Sequence, residues 1–329
     1  MKRKLFYTLF LTVFLFNSFG LIAQTSDNEE NIIDMSKRFQ LWIYGKQKFT
    51  DIRFIDEINK QTLTYASNDP FNIGMGFNWR FIGIGIALNF KFINNDDEIY
   101  GDTKRLDLQM NAFGNRSVFD LTFLFYKSYY LRNMDEVFAG WETGDPYYIR
   151  GDIAMASFGM AYTYIFNHKK FSYKAAFVSN AIQKKSAGSF FLGGKFNITA
   201  LVSDSSMFPK NSYFATFDPI NELNRNSLSL SFGYAYNLIL PKYFYLTASL
   251  AMTPSIGVLR YDSHLHSPYR KVIPGVGMVP RIAFGYNGMK YFSGVSMNTA
   301  ILSVDSKDDN IPSINWQNGN VRIFVGKRF

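Results

Sequence analysis

Chemistry in this chain would have to come from few residues. Histidine occurs three times, as His168, His264 and His266, and cysteine not at all. The stretch "YDSHLH" places Asp262 two residues before His264, and a carboxylate that orients an imidazole can help it activate water. Asp96 and Asp97, in a second polar stretch, could supply the other half of such a site. Ser263 adjoins His264, but adjacency in sequence does not show the hydrogen-bond reach that a nucleophile and its base need. His264 and His266 could hold a surface metal, yet two ligands without a third are not a site. The plain alternative for all of these is a solvated loop. Glycine-rich pieces such as "GIGIG" and "GGK" lie inside alternating segments, where glycine marks close packing or a bend rather than a phosphate loop. The expectation is therefore no catalytic site, no cofactor and no metal.

The compartment follows from the first residues. "MKRKLFYTLFLTVFLFNSFGLIAQ" opens on Lys2, Arg3 and Lys4, runs apolar from Leu5 to Phe16 and reaches Ala23 before Gln24, the pattern of a secretory signal peptide. Asn17, Ser18 and Gly20 keep the apolar run short of the ~20 residues that span a bilayer as a helix. Residues 1–23 are read as the signal peptide, 24–36 as a periplasmic tail and 37–329 as one domain. Loss of the three basic residues takes the formal net charge from +9 to +6. The chain stays basic, but it holds no Lys/Arg block and is exported, which excludes nucleic acid as a partner.

Beyond residue 23 no helical span is visible, yet 34 Phe and 21 Tyr bring aromatics to 18% of the chain. An outer-membrane barrel explains both facts, since its lipid-facing residues alternate with lumen residues and its rings gather at the interfaces. Period two supports it: Leu106, Leu108, Met110 and Ala112 alternate with Arg105, Asp107, Gln109 and Asn111, and Phe119, Leu121, Phe123 and Phe125 with Asp120, Thr122 and Tyr126. Tight connections ("GNR", "NHKK", "PK", "NG") alternate with long polar ones ("INNDDEIYGDT", "RNMDEVFAGWETGDP", "DSHLHSPYRKV", "DSKDDNIPSINWQNG"). Asn287-Gly288 suits a hairpin turn with positive φ at both residues.

The fold class read from this rhythm is all-β, an antiparallel transmembrane β-barrel of about fourteen strands. That count takes Phe171 to Asn180 and "NSYFATFD", Asn211 to Asp218, as strands; twelve follows if the latter and one other segment are loops. The final "VRIFVGKRF" reads as the closing strand that pairs back on the first. Its terminal Phe329 resembles the sorting signal read by the outer-membrane assembly machinery, which makes that machinery and outer-membrane lipid the expected partners.

On the face opposite each apolar row, Arg80, Lys91, Arg105, Lys174, Lys195, Arg281 and Arg322 point inward, against Asp107, Asp120 and Asp152. Such an electropositive lumen suits a passive or gated conduit for small polar solutes with an anionic bias. The alternative is that these charges pair across strands and leave a non-conducting surface-interaction or structural barrel. Small inward residues, among them Gly74, Gly76, Gly83, Gly85, Ala87, Ser229 and Ser231, leave room for solute or for a folded-in loop. "QKKSAGS" (Gln183, Lys184, Lys185, Ser186 and onward) falls on an outer loop in the fourteen-strand count, where its lysines could meet lipopolysaccharide phosphates, a partner protein or only water.

Three pieces, "YASNDPFNIGMGFNWRFIGIGIALNF", "GDTKRLDLQMNAFGNR" and "KFSYKAAFVSNAIQKKSAGSFFLGG", resemble an uncharacterised Bacteroidetes family, domain-of-unknown-function family 4421. The resemblance covers essentially the whole chain after residue 23 and implies an exported β-barrel-like protein, with no catalytic residues to carry over. The Asp262–His264 pair, for its part, resembles half of the site of omptin outer-membrane proteases, which keeps a rim protease or lipid enzyme as a remote reading.

Overall fold

The structure, a computed structural model, describes residues 31–79, 82–89, 96–210, 212–263, 266–306 and 311–329. After a short β1 (Ile32–Asp34), the chain lays down β2 (Gln40–Asp56), β3 (Gln61–Ala66), β4 (Asn72–Trp79) and β5 (Ile82–Asn89), one helical turn α1 (Asp97–Tyr100), then β6 (Lys104–Phe113) and β7 (Ser117–Leu131). Next come α2 (Met134–Val137), β8 (Ile149–Ile165), α3 (Tyr173–Phe177), β9 (Ala181–Gln183), β10 (Ala187–Val202) and β11 (Glu222–Ile239). The last strands are β12 (Phe244–Met252), β13 (Ser255–Ser263), β14 (His266–Asn287), β15 (Tyr291–Val304) and β16 (Ser313–Arg328).

These strands close on themselves. With β12 and β13 taken as one crossing broken at Thr253-Pro254, ten antiparallel strands form a hydrogen-bonded ring: β2, β3, β7, β8, β10, β11, β12/β13, β14, β15 and β16. The ring closes where β16 pairs back on β2, from Ser313 opposite Ile55 to Arg328 opposite Gln40. Closure matters because lipid offers no hydrogen bonds, so a spanning sheet can have no free edge. The ladder between β3 and β7 is only Tyr65↔Leu131 and Ala66↔Tyr130. Beneath it β4 continues β3 along the same edge of β2, β5 pairs with β4, and β6 pairs with β7. Among the described residues no ladder joins β5 to β6.

Counting β3 with β4 as one crossing too, twelve runs alternate in direction, so the count of fourteen is corrected. Tyr173–Phe177 is helical because Ser172 caps it, its hydroxyl accepting from the Ala175 amide at 3.2 Å, ahead of the helix-favouring Lys174-Ala175-Ala176. Tyr213–Thr216 is a turn of 3-10 helix, in which residues three apart share a side. That puts Phe214 beside Phe217, ring centres 5.7 Å apart, where a strand would have set them on opposite faces. The first described residues, the C-terminal Phe329 and the connections at 114–116, 166–186, 240–243 and 288–290 lie at one end, the terminus end; 57–60, 132–148, 203–210, 212–221, 305–306 and 311–312 lie at the loop end.

The expected alternation holds along the wall. Leu228, Leu230 and Phe232 of β11 are exposed, while Arg225, Ser227 and Ala235 are buried. The same outward row recurs as Leu106, Leu108 and Met110 on β6, Phe119, Phe123 and Phe125 on β7, and Val321, Ile323 and Val325 on β16. The product is a continuous apolar belt of a kind that a water-soluble surface does not carry. Leu230 sits midway along β11 in this belt. Leu230→Arg is expected to lower the unfolding free energy in lipid vesicles by about 2 to 4 kcal/mol, measured by denaturant titration, while a change on an exposed connection such as Asp145→Arg leaves it within about 0.5 kcal/mol.

Turn chemistry departs from expectation at two places. Neither Asn287 nor Gly288 has a positive φ; Asn287 is the last residue of β14 and aims its side chain inward, and the hairpin closes through the Gly288 amide to Tyr291 O at 3.0 Å. The paired positive φ values occur instead at Lys242 (60°) and Tyr243 (67°) in the "PK" connection. One wall feature changes the alternation itself. Between Lys127 and Tyr129 the register of β7 against β8 shifts around Ser128, whose φ is 78°. Below this bulge the even residues Leu124 and Tyr126 face inward; above it the odd residues Tyr129 and Leu131 do, both fully buried.

Candidate functional site

The barrel interior has three levels. At the loop end it is apolar. Ile52 and Phe54 (β2), Leu63 and Tyr65 (β3), Tyr129 and Leu131 (β7), Leu223 (β11), Leu259 (β13), and Ile314 and Trp316 (β16) meet Met134 and Val137 of α2 and the inturned loops, represented by Met207, Phe208, Phe214, Ile220 and Ile311. Phe208 stands edge-on to Phe54 at 5.1 Å between ring centres, and the Tyr65 hydroxyl donates to Met207 O at 2.6 Å. These loops form a lid with an apolar underside.

At the terminus end the connection from β8 to β10 turns inward as a plug made of α3 and a two-stranded ribbon, β9 pairing with β1 from Ile32↔Gln183 to Asp34↔Ala181. Phe171 and Tyr173 pack on Val118, Ile165, Phe191, Ala235 and Ala251. Polar wall residues hold the plug backbone: Asn287 Nδ2 donates to Ala175 O (3.0 Å) and Ala181 O (2.9 Å), Arg322 Nη2 to Phe177 O (2.8 Å), and Arg328 to Ser179 O, Arg328 also donating to Gly288 O of the β14–β15 hairpin. Gln183 is buried, its Oε1 accepting from the Ser172 amide (2.9 Å) and from Asn237 Nδ2 (2.7 Å). The "QKKSAGS" stretch therefore lies at the terminus end and not on an outer loop, a correction that follows from the lost strands. Gln183 ties the plug to β11, Ser186 accepts from the Ile239 amide at 2.9 Å, and Lys184 and Lys185 are exposed.

Between lid and plug lies a polar middle with a cavity of about 100 Å³, lined on one side by Ser157, Lys195, Asn197, Thr199, Arg225, Ser227 and Ser229. Gly85, Ala87, Gln109 and Asn111 on β5 and β6, the strands between which no ladder is described, are exposed. The small residues Gly74 and Gly76 do not leave space for solute. A Cβ at Gly74 would come within 2.5 Å of the Tyr44 ring and one at Gly76 within 2.5 Å of the Trp42 ring, so the rings of β2 lie flat over them.

Of the inward charges expected from sequence, Arg105, Asp107, Asp120, Lys195, Arg281 and Arg322 lie on the lumen side of the wall. Arg80 and Lys91 fall outside the described residues. Lys174 belongs to α3, not to a strand; it is buried in the plug with its Nζ 3.9 Å from Asp34 Oδ2. Asp152 is not a lumen residue: with Arg150, at 2.7 Å, it anchors the loop-end turn through the Asp204 amide and the carbonyls of Ser205 and Ser206. Lys46, Lys48 and Arg225 also face inward and were missed. Arg225 continues the row Ser227, Ser229, Ser231 one step past the strand start assumed from sequence, so the same alternation could have found it.

Pairing neutralises only some of these charges, and Lys46 and Arg322 have no carboxylate within 4.0 Å among the described residues. On the β2–β7 side, Arg105 Nη1 meets Asp69 at 3.2 Å, and Asp107 Oδ2 takes both Lys48 Nζ (2.5 Å) and the Tyr126 hydroxyl (3.0 Å). On the other side, Lys195, Arg225 and Arg281 have no carboxylate within 4.0 Å among the described residues. Asp120 accepts instead from Asn111 Nδ2 at 2.5 Å.

The catalytic candidates read from the sequence are described only in part. His264 lies outside the described residues, as does the side chain of His266. The Asp96 carboxylate is engaged by Asn68 Nδ2 at 3.0 Å beneath α1, and His168 is bound to its own turn through Ile165 O. No group of three or more metal-ligating side chains occurs among the described residues. Phe329 continues the closing strand, its amide donating to Phe39 O at 2.8 Å and its exposed ring covered by Lys327 Nζ at 4.6 Å.

A closed antiparallel barrel with an outward apolar belt and a polar, cation-bearing lumen defines the class: a β-barrel of the transmembrane type. The chain belongs to the DUF4421 family, described as a domain of unknown function, whose profile matches residues 32–329. No curated protein matches the sequence. Among solved structures it is similar to the outer membrane protease OmpT of Escherichia coli (9% identity, TM-score 0.39, covering 93% of this chain and 100% of that one). It is also similar to OmpT of Vibrio cholerae (7%, 0.30, 87% and 98%) and to the P. putida toluene transporter TodX (9%, 0.21, 89% and 90%). At these scores the likenesses carry no argument about activity.

Proposed function

We propose that the protein is an outer-membrane barrel that admits small anionic solutes to a basic lumen and is shut, in this state, by its loop-end lid: a gated conduit. The observation that carries this reading is the set of lumen cations without carboxylate partners, among them Lys195, Arg225 and Arg281. Arg225 is 2% exposed, and a buried charge costs several kcal/mol unless it is paired, so a purely structural barrel would be more stable with a neutral residue at that position. Local features that cost stability without a packing return are where function is expected. The outer membrane as location is supported by the apolar belt, by strand lengths sufficient to cross and by the signal-peptide pattern of residues 1–23. A second reading, the non-conducting barrel, is favoured by the apolar lid itself.

Conductance in planar bilayers separates them. The wild-type barrel should be closed for most of the record, with rare openings that prefer anions under a salt gradient, and Lys195→Gln with Arg281→Gln should move the reversal potential toward zero without loss of the SDS-resistant folded band. Cation-preferring openings would sink the anionic reading. A barrel that stays silent after the lid is weakened would leave the structural role.

A further inference from the structure

Arg225 is a fully enclosed cation of the lumen. Its side chain is 2% exposed, and of its guanidinium nitrogens only Nη2 has a partner, the Ser255 hydroxyl at 3.1 Å. Nε and Nη1 are buried without any hydrogen-bond acceptor. A guanidinium stays charged at any ordinary pH, so this is a full positive charge with open donors in a protein interior.

The surroundings are built to hold it there. Gly257 and Gly275 on the flanking strands β13 and β14 supply the space: a Cβ at Gly257 would lie 3.1 Å from Arg225 Cζ, and one at Gly275 2.9 Å from Nη2. The cavity it faces is lined by donors and hydroxyls from neighbouring strands, Ser157 on β8, Lys195, Asn197 and Thr199 on β10, and Ser227 on β11. Ser157 and Thr199 are 3.0 Å apart, and Asn197 Nδ2 donates to Thr199 Oγ1 at 2.7 Å, so these groups are already oriented. Across the cavity Trp316 Nε1 is a second buried donor without a partner. The one carboxylate bordering the space, Asp51, is occupied by Arg132, whose Nη1 and Nη2 each reach it at 2.8 Å.

We propose that this chamber is a binding site for a small oxyanion, clamped by the Arg225 guanidinium. Ser255 takes one of the two Nη2 hydrogens, which leaves the other, together with Nε or Nη1, as one complete edge of the planar fork to match two oxygens of a carboxylate, sulfate or phosphate. The Lys195 ammonium adds a second charge, and the Trp316 indole and the hydroxyls serve the remaining oxygens. A cavity of about 100 Å³ is several times what one water needs, enough for an anion of a few heavy atoms. The site rests on the reading of the lumen as an anion pathway, but binding can be measured without conduction, so the two stand or fall separately.

The test uses the full chain in detergent micelles, titrated with inorganic phosphate, sulfate and acetate at ionic strength held constant with chloride. Thermal unfolding midpoint and calorimetry are the readouts. Saturable stabilisation by at least one of the three is expected, and the preferred anion tells tetrahedral from carboxylate geometry. Arg225→Gln should weaken it at least about tenfold, while Lys185→Gln, a change on the exposed turn, should leave it unaltered. Gly275→Ala keeps the charge, but its Cβ would meet the Ser255 hydroxyl at 2.8 Å and Arg225 Nη2 at 2.9 Å, so it displaces the guanidinium and should also weaken binding; it serves if Arg225→Gln fails to fold. Equal affinity in wild type and both variants, or no saturable effect of any anion on the wild type, would overturn the proposal.

Discussion

Replacing Phe208 and Phe214 by Ala is expected to turn a mostly closed barrel into one that conducts for much of the record. The two rings, 5.9 Å apart between centres, are the part of the lid that reaches deepest, Phe208 on Phe54 of the wall and Phe214 2% exposed. A buried Phe→Ala change costs about 3 to 5 kcal/mol. Here the loss falls on loop 203–221, which wall strands do not need for their ladders: β10 and β11 pair from Val202↔Glu222 to Ala187↔Asn237 whatever the loop does. The lid should therefore open locally before the barrel unfolds. At about 1.4 kcal/mol per tenfold, even one such substitution raises the open population roughly a hundredfold or more. Single-channel recording reads the change directly. An unchanged, silent trace from a correctly folded double variant would rule out the lid as a gate.

The second large effect is expected at Asn237. This side chain is 1% exposed, and its amide is fully used: Nδ2 donates to Ser172 O (3.2 Å) and Gln183 Oε1 (2.7 Å), and Oδ1 accepts from Thr247 Oγ1 (2.8 Å). Asn237→Leu would orphan the Ser172 carbonyl and the Thr247 hydroxyl and take one of its two donors from Gln183 Oε1, and each orphaned buried group costs about 1 to 3 kcal/mol. The plug should leave the wall in consequence. Trypsin then has access to Lys174, which is 8% exposed in the seated plug. Appearance of a cleavage product at Lys174 in the variant and not in the wild type is the expected result; protection equal to the wild type would show that the apolar packing of Phe171 and Tyr173 seats the plug alone.

Much of the wall was legible because alternation is a local property. Leu106 to Asn111 and Phe119 to Tyr126 sort into inner and outer faces in the structure as their spacing demands, and the last strand closes on the first as its pattern implied. What was illegible depends on contacts far along the chain. In the aromatic-rich stretches Phe171 to Asn180 and Asn211 to Asp218, two or three alternating rings fit a strand or a helical turn equally well; the deciding facts are the pocket against β11, β12 and β14 in one case and the barrel mouth in the other. A signal was present in the first, since Ser172 before Lys174-Ala175-Ala176 is a capped helix start. In the second, Met207, Phe208 and Ile220 amid polar residues mark a loop that returns to the interior. The lumen charges were half legible. Direction follows from parity, whereas partners do not, which is why Arg105 and Asp107 are neutralised and Lys195, Arg225 and Arg281 are not.

The bulge at Ser128 gives the wall something like a reading frame. Two-fold alternation has no redundancy, so a single residue gained or lost within a strand exchanges inside for outside in everything beyond it. At Ser128 the chain makes one such shift on purpose, and it does so at the height where the solvent behind the wall changes: below, odd residues such as Phe123 and Phe125 must meet lipid, and above, Tyr129 and Leu131 must meet the lid. Drawing Ser128 into regular strand geometry would send both of those side chains out of the lid core, leaving the strand better formed and the message wrong, whereas deleting Ser128 would keep both inside.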